Sequence, residues 1–233
     1  GPPPGEDQEI VLDLSFEEAI FGVDRNVELQ TAVGCIQCSG SGAAEGTTAR
    51  RCGECEGSGQ VQQVRQSLLG QMVTTARCPR CGGMGEEIPN PCSQCRGEGR
   101  YRDSMSYEVR IPAGVDTGST LRLTGRGAAG PRGGASGDLY VHLRVADSGR
   151  FTRDGDTLYA ELQITMLQAA LGARIDFDTL DETVELAIPP GTQPGEVFRL
   201  RDHGVPRLEG HGRGRGDLLL SVKVEIPTKL SKQ

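Results

Sequence analysis

The residues of this chain best suited to chemistry are its eight cysteines, and all eight fall inside one pattern used four times between residues 35 and 99. The copies read Cys35-Ile-Gln-Cys38-Ser-Gly-Ser-Gly42, Cys52-Gly-Glu-Cys55-Glu-Gly-Ser-Gly59, Cys78-Pro-Arg-Cys81-Gly-Gly-Met-Gly85 and Cys92-Ser-Gln-Cys95-Arg-Gly-Glu-Gly99. Two intervening residues let one tight turn aim both sulfurs at a single ion, and two such turns complete the tetrahedron that a structural zinc prefers. The expectation is therefore two Zn2+ per chain, each in a four-sulfur site. Four thiolates around a dication leave surplus negative charge, which backbone N–H groups must offset by pointing at sulfur. The glycines two and four residues after each second cysteine supply the backbone freedom for that. A disulfide framework suits short secreted chains, not cysteines gathered in one part of a long one. The rival reading is a thiol-disulfide oxidoreductase, since CxxC pairs can also lower a thiol pKa.

The elements that must position these sulfurs belong to a β unit that occurs twice. Ile111-Pro-Ala-Gly114, Gly118, Arg122-Leu123 and Gly127 recur as Ile188-Pro-Pro-Gly191, Gly195, Arg199-Leu200 and Gly204, at a constant offset of 77 residues. Gly137-Asp-Leu139, with alternating Val141, Leu143 and Val145, returns as Gly216-Asp-Leu218 with Leu220, Val222 and Val224. Upstream, an extended stretch from Ile10 runs into a short helix ended by Gly22, and a similar stretch from Leu158 runs to Gly172. Val27-Glu-Leu29 matches Ile175-Asp-Phe177 by its alternation. Two related β-rich domains follow.

In the second copy, Ile175–Phe177 reaches Val184–Ile188 through the short turn Thr179-Leu-Asp-Glu182; in the first, the equivalent strands, 27–33 and 101–111, are separated by all the cysteines. The cysteine module is thus a hairpin tip grown into a subdomain. Four CxxC units permit three pairings. Hairpin geometry favours the nested one, with Cys35, Cys38, Cys92 and Cys95 sharing one ion and Cys52, Cys55, Cys78 and Cys81 the other.

Composition excludes several classes. Net charge is −7 and only 4% of residues are aromatic, against a nucleic-acid or anionic-membrane binder. The cysteine module carries six arginines against six glutamates and has no Phe, Tyr or Trp, so it lacks both the charge and the stacking platforms of a nucleic-acid reader. No run approaches the roughly twenty apolar residues of a membrane span, and the start is no signal peptide. Reduced, metal-ligating thiols point to a cytoplasmic setting. No catalytic set is apparent: His142 lies in an alternating strand, His203 and His211 lie in glycine-rich loops, and the acids sit in turns. The glycine-rich stretches 125–137 and 209–216 precede strands and open no helix, so they read as loops, not phosphate cradles. Binding of polypeptide remains. Ile10, Leu12, Val27, Leu29, Tyr107 and Val141 alternate along the strands that flank the insertion. They could line an apolar groove beside a sheet edge open to an extended peptide, or be ordinary core.

Four CxxCxGxG repeats followed by Ile111-Pro-Ala-Gly114, Gly137-Asp-Leu139, Phe151-Thr-Arg-Asp-Gly-Asp-Thr-Leu158, Gln168-Ala-Ala-Leu-Gly172, Thr179-Leu-Asp181, Ile188-Pro-Pro-Gly-Thr-Gln-Pro-Gly195 and Gly216-Asp-Leu218 resemble the bacterial DnaJ family, the zinc-containing class of J-domain co-chaperones. The resemblance runs from about residue 6 to the end. It implies a mostly β fold, with two tandem β-sandwich-like carboxy-terminal domains and a two-zinc β-hairpin module inserted in the first. The implied division is a linker or cloning remnant over 1–7, a substrate-binding domain over 8–34 and 100–146, the zinc module over 35–99, a second β domain over 147–228, and the start of a dimerisation segment over 229–233. The implied function is to hold non-native polypeptides and deliver them to a DnaK-type chaperone, not to act as an enzyme. Carried over residue by residue, the family's peptide groove falls on Val27, Leu29, Tyr107 and Val141 with Ile10 or Leu12, and one groove position falls on polar Gln8. The inner cysteine site would serve cooperation with the DnaK-type partner and the outer one substrate holding. None of the histidines is followed by Pro-Asp, so the ATPase-stimulating J domain is absent from these residues. The expectation is a fragment that binds substrate and zinc, does not stimulate ATP hydrolysis and is monomeric, whereas full-length relatives would be homodimers.

Overall fold

The computed structural model describes residues 2–67, 70–208 and 214–226; His211 and the segment 229–233 lie outside the described residues. In chain order the elements are β1 (Gln8–Leu14), α1 (Phe16–Phe21), β2 (Val23–Gly34), β3 (Arg50–Arg51), β4 (Gln60–Ser67), β5 (Gly70–Arg77), β6 (Glu86–Glu87), β7 (Arg100–Ile111), β8 (Thr120–Leu123), β9 (Leu139–Val145), β10 (Thr152–Asp154), β11 (Thr157–Thr165), α2 (Met166–Leu171), β12 (Ala173–Asp178), β13 (Thr183–Ile188), β14 (Val197–Leu200) and β15 (Leu218–Glu225). The fold is mostly β, as the sequence predicts. The chain divides into two units, one of Gly1–Ile10, Asn26–Tyr107 and Thr120–His142, the other of Val11–Arg25, Glu108–Ser119 and Leu143–Gln233.

The second unit is a two-sheet sandwich. One sheet has the order β10-β11-β15-β14, with β11 and β15 parallel from Leu158 opposite Leu218 to Thr165 opposite Glu225; the other is the antiparallel pair of β12 and β13. Period-two patterning turns Leu158, Leu162 and Ile164 inward and Glu161 and Gln163 outward. These side chains meet Leu218, Leu220 and Val222 of β15 and Phe177, Leu186 and Ile188 of the other sheet in one core, which Phe16 and Ile20 of α1 join.

The sequence repeat reappears as repeated local chemistry. Ser15 caps α1 and Thr165 caps α2, each in a reciprocal capping box with Glu18 or Gln168. Each helix stops at a glycine, Gly22 at φ 78° and Gly172 at φ 79°, where a side chain would be strained. Beyond Gly22 and Gly172 a strand starts at once, so Val27, counted from the capping glycine, corresponds to Phe177. That is two residues away from the match that alternation alone suggested, because period-two patterning is blind to a shift of two.

The repeated Gly-Asp-Leu triplets are explained by their aspartates. Asp138 accepts from Gly125 N–H at 2.7 Å and from Arg122 Nε at 2.8 Å; Asp217 accepts from Asp202 N–H at 3.2 Å and from Arg199 Nε at 2.6 Å. Gly125 and Asp202 both have positive φ, so each carboxylate pins a left-handed turn beside a strand. The Gly125 N–H and Arg122 hold the Asp138 carboxyl below the usual carboxylate range. Burial opposes ionisation of Asp217, but the Asp202 N–H and Arg199 outweigh it and lower that carboxyl too. Because the folded-state pKa lies below the unfolded one, the stabilisation is present above about pH 4 and is lost as pH falls through that region. Asp217→Asn is expected to lower the melting temperature at pH 7, with the gap from the parent chain closing below about pH 4 in a pH series of thermal melts.

Candidate metal centres and peptide-binding surface

Between β2 and β7, which pair with each other, the chain runs out and back as nested short hairpins. Cys35 N–H donates to the Gly99 carbonyl at 2.8 Å where the module begins; Ala43 bridges Pro91; Arg50 and Arg51 of β3 pair with Glu87 and Glu86 of β6; β4 and β5 continue beyond. This nesting brings together Cys35, Cys38, Cys92 and Cys95 in one cluster and Cys52, Cys55, Cys78 and Cys81 in another, the four sulfurs of each within 4.8 Å of one another. Across the outer cluster Cys35 and Cys92 Sγ stand 3.9 Å apart and Cys38 and Cys95 Sγ 3.7 Å; across the inner one the distances are 3.9 Å for Cys52 and Cys78 and 3.7 Å for Cys55 and Cys81. A zinc–sulfur bond of about 2.3 Å gives a tetrahedron with edges of about 3.8 Å, so the spacing fits that ion. A disulfide needs sulfurs about 2.05 Å apart, and all eight cysteines are free.

Each site is built from two interlocked turns. The last glycine of every repeat donates its N–H to the second cysteine's sulfur: Gly42 to Cys38 at 3.2 Å, Gly59 to Cys55 at 3.3 Å, Gly85 to Cys81 at 3.2 Å and Gly99 to Cys95 at 3.3 Å. Across each site the first cysteine's N–H meets the partner repeat's last carbonyl, Cys92 to Gly42 and Cys52 to Gly85 among them. The glycines answer a second requirement besides φ. A Cβ on Gly85 would lie 2.5 Å from the Gly57 carbonyl oxygen, and one on Gly99 would overlap that of Gly40, so the two turns approach too closely for any side chain.

The sulfurs as thiols do not share one ionisation state. Burial and the neighbouring thiols push Cys35 up to about 11. At Cys38 burial opposes ionisation, but the Gly42 N–H and the adjacent thiols outweigh it and bring the group down to about 7. In the inner cluster the Cys81 N–H favours a thiolate at Cys78, yet burial and the Cys81 and Cys52 thiols prevail and raise it to about 11, while Cys81 itself is lowered. Four thiolates this close require a cation between them. Seven of the eight cysteines are buried and Cys38 is partly so, which gives the oxidoreductase reading no support.

Sequence reasoning missed Arg132, set in a glycine-rich loop. At φ 49° its N–H donates to the Glu98 carbonyl at 2.9 Å, its Nε to the Gly97 carbonyl at 3.2 Å and its guanidinium to the Glu86 carbonyl at 3.0 Å. One loop arginine thus ties the outer site's last turn to β6, the strand next to the inner site. No spacing rule marks such a residue.

The expected groove residues divide. Ile10, Val27, Leu29 and Tyr107 are partly buried in the first unit, with the Arg126 guanidinium 5.3 Å from the Tyr107 ring centre; Leu12, also partly buried, falls in the second. Val141 is a correction. It is 0% exposed and stands opposite Leu121, because β9 turns Leu139, Val141 and Leu143 inward as core, so it offers no surface of its own. His142 lies in strand β9, as its alternation suggested, and its Nδ1 is 2.9 Å from Thr120 Oγ1. Among the described residues no helix is long and apolar enough to cross a membrane.

With this geometry in view, the comparisons agree. The family model of the DnaJ C terminal domain matches residues 8–227, and the chain belongs to that family. It is 50% identical over 228 residues to the Chaperone protein DnaJ of Syntrophobacter fumaroxidans, covering 98% of this chain and 58% of that protein. It is 46% identical over 231 residues to that of Methanothermobacter thermautotrophicus, covering 99% and 61%, and 46% over 233 residues to that of Clostridium beijerinckii, covering 100% and 61%. The chain therefore spans about three-fifths of the length of these relatives.

The interlock predicts a graded response to added methyl groups. Gly83 and Gly85 both have positive φ, but the nearest atom to a Cβ on Gly83 is a flexible Arg77 side chain at 3.6 Å. Gly83→Ala is expected to cost only backbone strain, about 1–2 kcal/mol, and to keep its metal. Gly85→Ala adds the overlap with Gly57, so the metal should be lost markedly faster to a chelator, with the release rate as the readout.

Proposed function

We propose that this chain is the polypeptide-binding region of a co-chaperone, which holds non-native segments and delivers them to a DnaK-type chaperone. The observation that carries the reading is a row of partly buried apolar side chains, Ile10, Val27, Leu29 and Tyr107, on strands with open edges in a chain of this family. β1 is the edge of its sheet, and β2 has β7 as its only strand partner among the described residues, which leaves backbone groups for an extended peptide to join. Val141, being core, acts on this surface only through packing. The relatives' name, Chaperone protein DnaJ, supports the assignment.

Under this reading each cysteine cluster holds one Zn2+ as a structural ion: Cys35, Cys38, Cys92 and Cys95 the first, Cys52, Cys55, Cys78 and Cys81 the second. Zinc neutralises thiolates and fixes the nested hairpins; it takes no part in a reaction. The outer site stabilises the wall of the substrate groove, and the inner site, farther out on the hairpin, serves cooperation with the DnaK-type partner. Residues 8–34 and 100–146 act as the substrate-binding domain, 35–99 as the zinc module and 147–228 as the second β domain. In the full-length protein, which we take to be a cytoplasmic homodimer, the rest of the chain would supply ATPase stimulation.

The test is peptide affinity by fluorescence anisotropy. Leu29→Asp places a charge in the apolar row and is expected to weaken binding of an unfolded-chain peptide at least tenfold, about 1.4 kcal/mol, with zinc content and circular dichroism unchanged. Equal affinity of the two proteins would remove the groove from the account.

A further inference from the structure

The half-buried rows of β1 and β2 each include one hydrogen-bonding side chain. On β2 the row runs Val27, Leu29, Thr31; on β1, read back from Leu12, it runs Leu12, Ile10, Gln8. A hydrogen-bonding side chain thus heads the β1 row and interrupts the β2 row, where Val33 follows Thr31. Gln8 and Thr31 together line a cavity of about 410 Å³, with Glu6, Arg100, Tyr101 and Arg102 in its walls, all within the first unit. Thr31 is only 4% exposed, and its hydroxyl has no hydrogen-bond partner. Buried hydroxyls are almost always satisfied, by protein or by ordered water, so this one leaves a hydrogen bond open to a group that enters the cavity. The carboxamide of Gln8 makes one local bond, from Nε2 to the Asp7 carbonyl at 3.2 Å, which uses a donor and not the oxygen.

The charges around this cavity do not select a sign. Arg100 is engaged by the Ala129 carbonyl at 2.7 Å and lies 3.8 Å from Glu98, which leaves Glu6 and Arg102 to oppose each other. A carboxylate or an ammonium entering here would lose hydration and meet a like charge as well as an opposite one. An uncharged amide meets neither difficulty. Its C=O can accept from the Thr31 hydroxyl, and its NH2 can donate to the Gln8 carboxamide oxygen.

We infer that Gln8 and Thr31 form a specificity pocket for a carboxamide side chain, so that this chain prefers extended segments with Gln or Asn two residues from the apolar side chain seated over Leu29. The inference rests on the peptide-binding reading of the previous subsection. The two-residue spacing follows from Leu29 and Thr31 lying on one face of one strand, since an extended partner repeats with the same period. Tyr101 shares the cavity wall and also packs against Cys35, Cys92 and Cys95, so the pocket is shaped by the outer metal site.

The experiment measures the affinity of the 233-residue, zinc-loaded chain for labelled peptides containing Leu-x-Gln, Leu-x-Leu or Leu-x-Glu, each also in the reverse order. The Gln peptide, in one order, is expected to bind about three- to tenfold more tightly than its Leu and Glu counterparts, the worth of one or two buried hydrogen bonds. The double variant Gln8→Leu, Thr31→Val should erase or invert that preference; Thr31→Val preserves shape and removes an unpaired hydroxyl, and thermal melting confirms that the fold is kept. Equal affinity for the three peptides, or a Gln preference that survives in the double variant, overturns the inference. If Leu29→Asp abolishes binding while no Gln preference is seen, the pocket alone fails. If no peptide binds the parent chain, the groove itself fails and takes the pocket with it.

Discussion

Four thiolates gathered within 4.8 Å of one another repel strongly, and the cysteine module is assembled around the need to neutralise them twice. The module has almost nothing else to hold it together. Among the described side chains of residues 35–99, the buried apolar ones are seven cysteines and Ala43. Val61 packs beside the inner cluster and Tyr101 beside the outer one. A segment of this length with no apolar core stays folded only if something replaces that core, and a metal ion bound by four sulfurs supplies a comparable stabilisation in a much smaller volume. The hydrogen bonds and glycine contacts are then consequences. The N–H groups spread the charge left on the sulfurs, and the absence of side chains lets two turns close on one ion.

This arrangement transmits order to the surface proposed to receive polypeptide. Cys35 follows β2 directly and pairs with Gly99, the residue before β7, so closing the outer site fixes the register at which β2 and β7 enter the sheet. Leu29 and Thr31 lie on β2, and Tyr101 and Tyr107 lie on β7. Arg132 adds a second tie by linking the Gly97 and Glu86 carbonyls. Under the proposed function a structural site thereby governs binding, by holding in place the strands proposed to make the contacts.

Much of this was legible in the sequence because it depends on local chemistry repeated in register. The four cysteine repeats specified their own ligands, and the short turn at Thr179–Glu182 in the second copy exposed the insertion in the first. Caps such as Ser15 with Glu18 are likewise written in adjacent residues. What was not legible depends on contacts between distant segments. Alternation could not tell that Val141 faces core, because an inward strand residue and a groove residue follow the same pattern. The role of Asp138 appeared only when Arg122 and Gly125 were brought to it, and Arg132 and the unpaired Thr31 hydroxyl emerged only with the assembled fold.

Zinc K-edge X-ray absorption on the gently purified chain tests the central claim most directly, since it reports the atoms around the metal. The account predicts a single shell of four sulfur scatterers at about 2.3 Å around each zinc, at two zinc ions per chain. A shell containing nitrogen or oxygen, or sulfur–sulfur distances of about 2.05 Å in place of metal–sulfur ones, would contradict it.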